Sequence, residues 1–197
     1  MEVGGAAAAP RALPPLFLDL DGVFADFEAG VLALLGSPPS ALSAKQMWPP
    51  LARVPPPGFF AGLAWMRGGD RLWRFCAPHA PTLLTGSPLG AWAEPQKRAW
   101  CARELGGGVP VVVCLKVEKA ARAAAQLRLP GGGLGGAVLV DDTADAAVLW
   151  EGAGGVFVHH DPDRLGATLA RLAELGYGGG GGGEPSGEPS GEAAGRQ

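Results

Sequence analysis

Five short apolar runs alternate with stretches of helical spacing, and three of the runs stop abruptly at a carboxylate or a hydroxyl. Strand and helix in alternation predict an α/β fold: a Rossmann-like parallel sheet with helices on both faces and right-handed crossovers. In such sheets a ligand sits outside the carboxyl ends of the strands. Asp19 and Asp21, Thr85, and Asp141 and Asp142 all fall at those ends. Three such coincidences are hard to assign to ordinary turns.

The first run, Leu16–Leu20, is too short for a helix and follows Pro14-Pro15. Strand alternation predicts Asp19 and Asp21 on one side with Leu20 opposite. Gly22 then lets the chain turn where a side chain would obstruct it. Carboxylates at the tip of a buried strand are costly without a partner, which invites a cation. Oxygen ligands suit Mg²⁺, and an aspartate here can attack phosphorus. An exposed Asp-x-Asp-Gly is more often a plain turn; the apolar run before it argues against that reading.

Thr82–Thr85 is the second strand, ending in Thr85-Gly86-Ser87-Pro88, where a hydroxyl and free backbone N–H groups suit a phosphate. A helix with Pro95 in its first turn follows, carrying Lys97, Cys101 and Leu105 on one face. Val109–Leu115 is the third strand, apolar enough to be covered on both faces. The helix after it has a predicted apolar stripe of Val117, Ala120, Ala121, Ala124 and Leu127, with Lys116 and Lys119 at its start. A lysine at such a junction can reach an anion above the sheet, or it can be a solvated surface charge. Ala137–Val140 is the fourth strand and ends in Asp141-Asp142-Thr143, where Thr143 or Asp142 can cap the next helix, or one acid can cap while the other binds metal. Gly155–Val158 is the fifth, followed by a helix with Leu165, Leu169 and Leu172 on one stripe.

Residues 29–68 or so are proline-rich and carry Trp48, Phe59 and Phe60, which predict a small cap over the strand ends and its apolar walls. Residues 1–13 and 177–197 have no apolar stripe and read as disordered tails on a domain of residues 14–176. A net charge of −3 without a basic face argues against a nonspecific nucleic-acid binder. No apolar run is long enough to span a membrane, and the amino terminus lacks a secretory core. Three scattered cysteines among apolar residues read as buried thiols in a reducing, cytoplasmic setting.

Taken together, the pattern resembles the haloacid dehalogenase-like hydrolase superfamily over residues 14–176. Leu18-Asp19-Leu20-Asp21-Gly22-Val23 is similar to its first motif, Leu84-Thr85-Gly86-Ser87-Pro88 to its second and Val140-Asp141-Asp142 to its fourth. The run from Asp19 to Phe27, the block Gln96-Lys97-Arg98-Ala99-Trp100 and the short insert look most similar to the deoxyribonucleotidase-like phosphatases. The resemblance implies a Mg²⁺-dependent phosphatase acting on a small phosphomonoester, a nucleotide among the candidates. It implies Asp19 as nucleophile and Asp21 as proton carrier. Mg²⁺ would be held by Asp19, the Asp21 carbonyl and Asp141, with Asp142 beside them. Thr85, Gly86 and a lysine would hold the phosphoryl group: Lys119 by its place after the third strand, Lys97 as a second contact, Lys116 as a competitor. Gly86 stands where a nucleotidase often has serine, a departure that bears on this phosphate-binding set. A phosphatase for macromolecular phosphates and a non-catalytic binding protein are the alternative readings.

Overall fold

The computed structural model describes residues 12–178. The expected tails therefore lie outside the described residues, apart from their innermost positions. Five parallel strands form one sheet: β1 (Leu16–Leu18), β2 (Thr82–Gly86), β3 (Val111–Cys114), β4 (Val138–Asp141) and β5 (Val156–His159). Their order is β3-β2-β1-β4-β5, so the strand carrying the first carboxylates is central.

Helices cover both faces, as the alternation predicts. Leu16, Leu18, Leu83, Val138 and Val140 point to the layer of α3 (Gly69–Cys76), α4 (Ala93–Glu104) and α7 (Leu165–Glu174). Phe17, Leu84 and Leu139 point the other way, to α5 (Lys119–Leu127) and α6 (Ala146–Gly152). The period of two along each strand thus divides the core into two clusters, one per face.

Two predicted surfaces differ. The valines of β3 are only half-buried, because β3 is an edge strand rather than one enclosed on both sides. On α5 the covered stripe is Lys119, Ala120, Ala123, Ala124 and Leu127, whereas Val117 and Ala121 are exposed. The cause is a 3-10 turn over Lys116–Glu118, which shifts the helical register by its tighter winding.

Between β1 and α3 lies the insert expected as a cap, built from α1 (Phe27–Leu35), α2 (Ala44–Ala52) and short 3-10 turns. Asp26 starts α1 by accepting from the Ala29 N–H at 2.9 Å. Ser43 starts α2, with Gln46 accepting from the Ser43 N–H at 3.0 Å. Pro49 and Pro50 lie inside α2, and the helix ends at Ala52. The prolines permit a short helix and no longer one.

The insert is tied to α4 by four side chains. Gln96 accepts from Phe60 N–H at 2.9 Å, Trp100 donates to the Leu63 carbonyl at 2.9 Å, Arg103 donates to the Ala61 carbonyl at 2.7 Å, and Trp65 donates to Glu104 at 2.7 Å. Gly58 makes room for the first of these, since a Cβ there would lie 2.4 Å from Gln96. No helix among the described residues is long and apolar enough to cross a membrane.

The carboxyl-terminal boundary is a correction. Tyr177 belongs to the domain and not to a tail: it is buried, and its hydroxyl donates to the Pro14 carbonyl at 2.6 Å, clamping the chain just before β1. Tyr177→Phe keeps the ring and removes the bond, and we expect it to cost about 1 kcal/mol in a urea unfolding titration. Tyr177→Ala should cost several times more, because it also empties a packed site.

Candidate active site

Register brings the acidic residues together. Leu18 pairs with Val140, so the next residues, Asp19 and Asp141, stand side by side, and the Asp19 N–H donates to the Val140 carbonyl at 2.9 Å. Beyond Leu18 the strand curls: the Leu20 carbonyl accepts from the N–H groups of Val23, Phe24 and Ala25. Gly22 turns the chain with φ +76°, and a Cβ there would sit 2.2 Å from Asp142 Oδ2. Glycine is required here by conformation and by space.

That curl changes how the two aspartates are held. Strand alternation alone predicts one side for both, but their lysines come from helices on opposite faces of the sheet. Lys119 of α5 lies 2.9 Å from Asp19 Oδ2 and 2.6 Å from Asp141 Oδ2. Lys97 of α4 lies 2.5 Å from Asp21 Oδ2 and donates to Thr85 Oγ1 at 3.1 Å. Both lysines are buried, so neither is a solvated surface charge.

Oxygens of Asp19, Asp141 and Asp142 lie within 4.8 Å of one another. Asp19 Oδ1 is buried without a hydrogen-bond partner among the described residues. By formal charge, four carboxylates against two ammonium groups leave the cluster at −2. An all-oxygen cluster with that residual charge fits a hard divalent cation. Asp142 is positioned by Thr143 Oγ1 at 3.3 Å, and its carbonyl meets His159 Nε2 at 2.9 Å. Asp141 Oδ1 accepts from the Thr143 N–H at 2.8 Å. Neither Asp142 nor Thr143 caps α6 with its side chain, so that alternative is not taken; the helix begins after Asp145.

The electrostatics follow from crowding. Burial pushes the Asp142 carboxyl up to about 7, with the charges of Asp19 and Asp141 adding to it. Asp141 is raised by burial and by Asp19. Asp21 is raised by burial, against the pull of Lys97. Burial opposes the Lys119 charge, yet Asp19 and Asp141 outweigh it and hold the ammonium above its ordinary value.

A cavity of about 550 Å³ opens over these groups. Asp19, Asp21, Asp142, Lys119, Gly86 and Lys116 form its polar floor and rim. Phe27, Met47, Trp48, Phe60 and Met66 wall it. Phe59, expected as a wall, is instead buried behind Phe27, 5.8 Å between ring centres. Thr85 and Lys97 also stand behind the lining, and the Ser87 N–H is not free but donates to the Cys114 carbonyl at 2.8 Å. Sequence reasoning puts Phe27, just after the first motif, in a flap beside the site, and it does not single out Met47 or Met66, which carry no signal beyond being apolar residues within the insert.

Linkage predicts the pH dependence. A carboxyl whose folded value lies above its unfolded 3.8 binds more protons when folded, so its contribution to stability falls as pH rises from there to about 7. In the presence of a chelator, the melting temperature should therefore drop between about pH 4 and about pH 7, and Asp142→Asn should flatten that slope.

No family model and no curated protein matches the chain. Among solved structures, a haloacid dehalogenase-like family hydrolase from Streptococcus pneumoniae superposes with a TM-score of 0.51 at 14% identity, covering 83% of this chain and 99% of that one. A hydrolase from Streptococcus pneumoniae TIGR4 gives 0.47 at 12% identity, covering 84% and 98%. With its central β1, parallel sheet and helices on both faces, the chain has the haloacid dehalogenase-like fold.

Proposed function

We propose that the protein is a Mg²⁺-dependent phosphatase that hydrolyses a small phosphomonoester through an aspartyl-phosphate on Asp19. The observation that carries this reading is the Asp19 carboxylate, held by Lys119 at the floor of a cavity, with one oxygen unpartnered among the described residues and with Asp141 and Asp142 beside it. Asp19, Asp141 and Asp142 would hold the cation, which when bound neutralises phosphoryl charge. Lys119 fixes Asp19 for in-line attack and adds positive charge at the floor. Asp21, two residues on, lines the same cavity, which supports a role in giving a proton to the leaving oxygen and taking one from water. Lys116, exposed at the rim with Asp145 4.0 Å away, is a further cation within the cavity lining.

A cavity of about 550 Å³ walled by the insert favours a small substrate over a phosphorylated macromolecule. Its aromatic and methionine walls suit a planar apolar group, which supports a nucleotide within that class. All three cysteines are free and buried, and burial raises Cys76 to about 12 and Cys101 to about 11, which fits inert thiols in the cytoplasm.

Asp19→Asn should abolish turnover of a good phosphate ester. Asp21→Asn should lower it by about 10² to 10⁴ and allow phosphorylated protein to accumulate, seen by intact mass. Chelation should silence the wild type and Mg²⁺ restore it; normal turnover by Asp19→Asn would overturn the covalent route. Trp48→Ala removes a half-buried wall residue packed on Phe27, and it should change relative rates among nucleotides and sugar phosphates with only a modest fall in melting temperature. Equal slowing of every substrate with early melting would make Trp48 a structural residue.

A further inference from the structure

Lys97 is wholly buried and yet stands outside the cavity lining. Its nitrogen has three neighbours: Asp21 Oδ2 at 2.5 Å, Thr85 Oγ1 at 3.1 Å, and the face of Phe60 with the ring centre 4.4 Å away. A buried ammonium is costly unless such partners compensate it. Asp21, for its part, has one oxygen taken by Lys97 and the other, Oδ1, buried with no partner among the described residues. Although Asp21 is two residues from Asp19 and lines the same cavity, it is not part of the cluster formed by Asp19, Asp141 and Asp142.

We infer that Lys97 is a positioning residue: it anchors Asp21 Oδ2 against Thr85 and Phe60 and keeps that carboxylate out of the cation-binding cluster. The proton-carrying use of Asp21 rests on the phosphatase reading; the anchoring does not. A carboxylate this near a dication is drawn toward it by Coulomb attraction. Once it becomes a ligand, its oxygens are committed to the cation and are poor proton carriers. A competing cation on the far side, fixed by packing, prevents that. Lys97 suits the task because α4 is held rigidly: Gln96 and Trp100, its neighbours on that helix, bond the insert on either side. Phe60 joins the two functions, since one face of the cation is closed by a residue that also walls the cavity.

The test compares wild type, Lys97→Met, Lys97→Gln, Asp21→Asn and the Lys97→Met/Asp21→Asn double variant. Mg²⁺ affinity of the substrate-free protein is read by calorimetry, and kcat and KM are read on p-nitrophenyl phosphate. Lys97→Met should bind Mg²⁺ about tenfold more tightly, because Asp21 is released toward the cluster, and the double variant should lose that gain. Its kcat should fall about 10²-fold with KM within about twofold, and in the Asp21→Asn background the further loss should stay under about threefold. Lys97→Gln keeps a hydrogen-bond donor and should recover part of kcat; it also serves if the methionine variant does not fold. Unchanged Mg²⁺ affinity in both Lys97 variants, or an equal loss of kcat with and without Asp21, would overturn the inference. So would a raised KM at constant kcat, which would make Lys97 a substrate contact. If the wild type hydrolyses no ester, the phosphatase reading fails alone, and the Mg²⁺ titrations still decide what Lys97 does to Asp21.

Discussion

Holding four carboxylates, two buried and two half-buried, at the ends of two adjacent strands is the demand around which this structure is organised. Repulsion among Asp19, Asp141 and Asp142 within 4.8 Å would expel at least one of them from an unassisted site. Lys119 answers that from α5, bonding two of the three, and Lys97 answers for Asp21 from α4. Each helix must dock on its own face of the sheet for its ammonium to arrive. The two hydrophobic clusters, one per face, therefore support the site as well as the fold.

Helix α4 links the floor of the cavity to its roof. Within about two turns it carries Gln96, Lys97, Trp100 and Arg103, which hold Phe60, Asp21, Leu63 and Ala61 respectively. Because Phe60 both accepts the Lys97 cation on its face and lines the cavity, a shift of the insert reaches Asp21 through one ring. Phe60 also stacks with Phe27 at 6.1 Å and packs on Trp92 at 5.4 Å, so the roof is an aromatic assembly rather than a loose loop.

The sheet was legible because its signals are local. Alternating apolar runs, the glycine after Asp21 and the acids after Val140 need only a strand's period of two and the cost of buried charge to be read. Lys119 was also readable from its place after the third strand. Lys97 was visible as a lysine on a buried helical face, but its partner was not: Asp21 lies 76 positions away and Thr85 12. Phe59 and Phe60 are adjacent and alike in sequence, yet one is packed behind Phe27 and the other walls the cavity. Tyr177 looked like the start of a glycine tail, and only the chain folding back on Pro14 makes it core.

The sequence by itself determined the parallel α/β architecture and the strand ends at which acids gather, because periodicity and the placement of charge are properties of neighbours along the chain. Tertiary structure decided which lysine meets which carboxylate, which oxygens remain without partners and which aromatic residues face the cavity. Those outcomes depend on helices from opposite faces converging on a single turn after β1, and on a curl that begins where the ladder to Val140 ends. Pairings of that kind are set by packing in three dimensions, and no spacing along the chain encodes them.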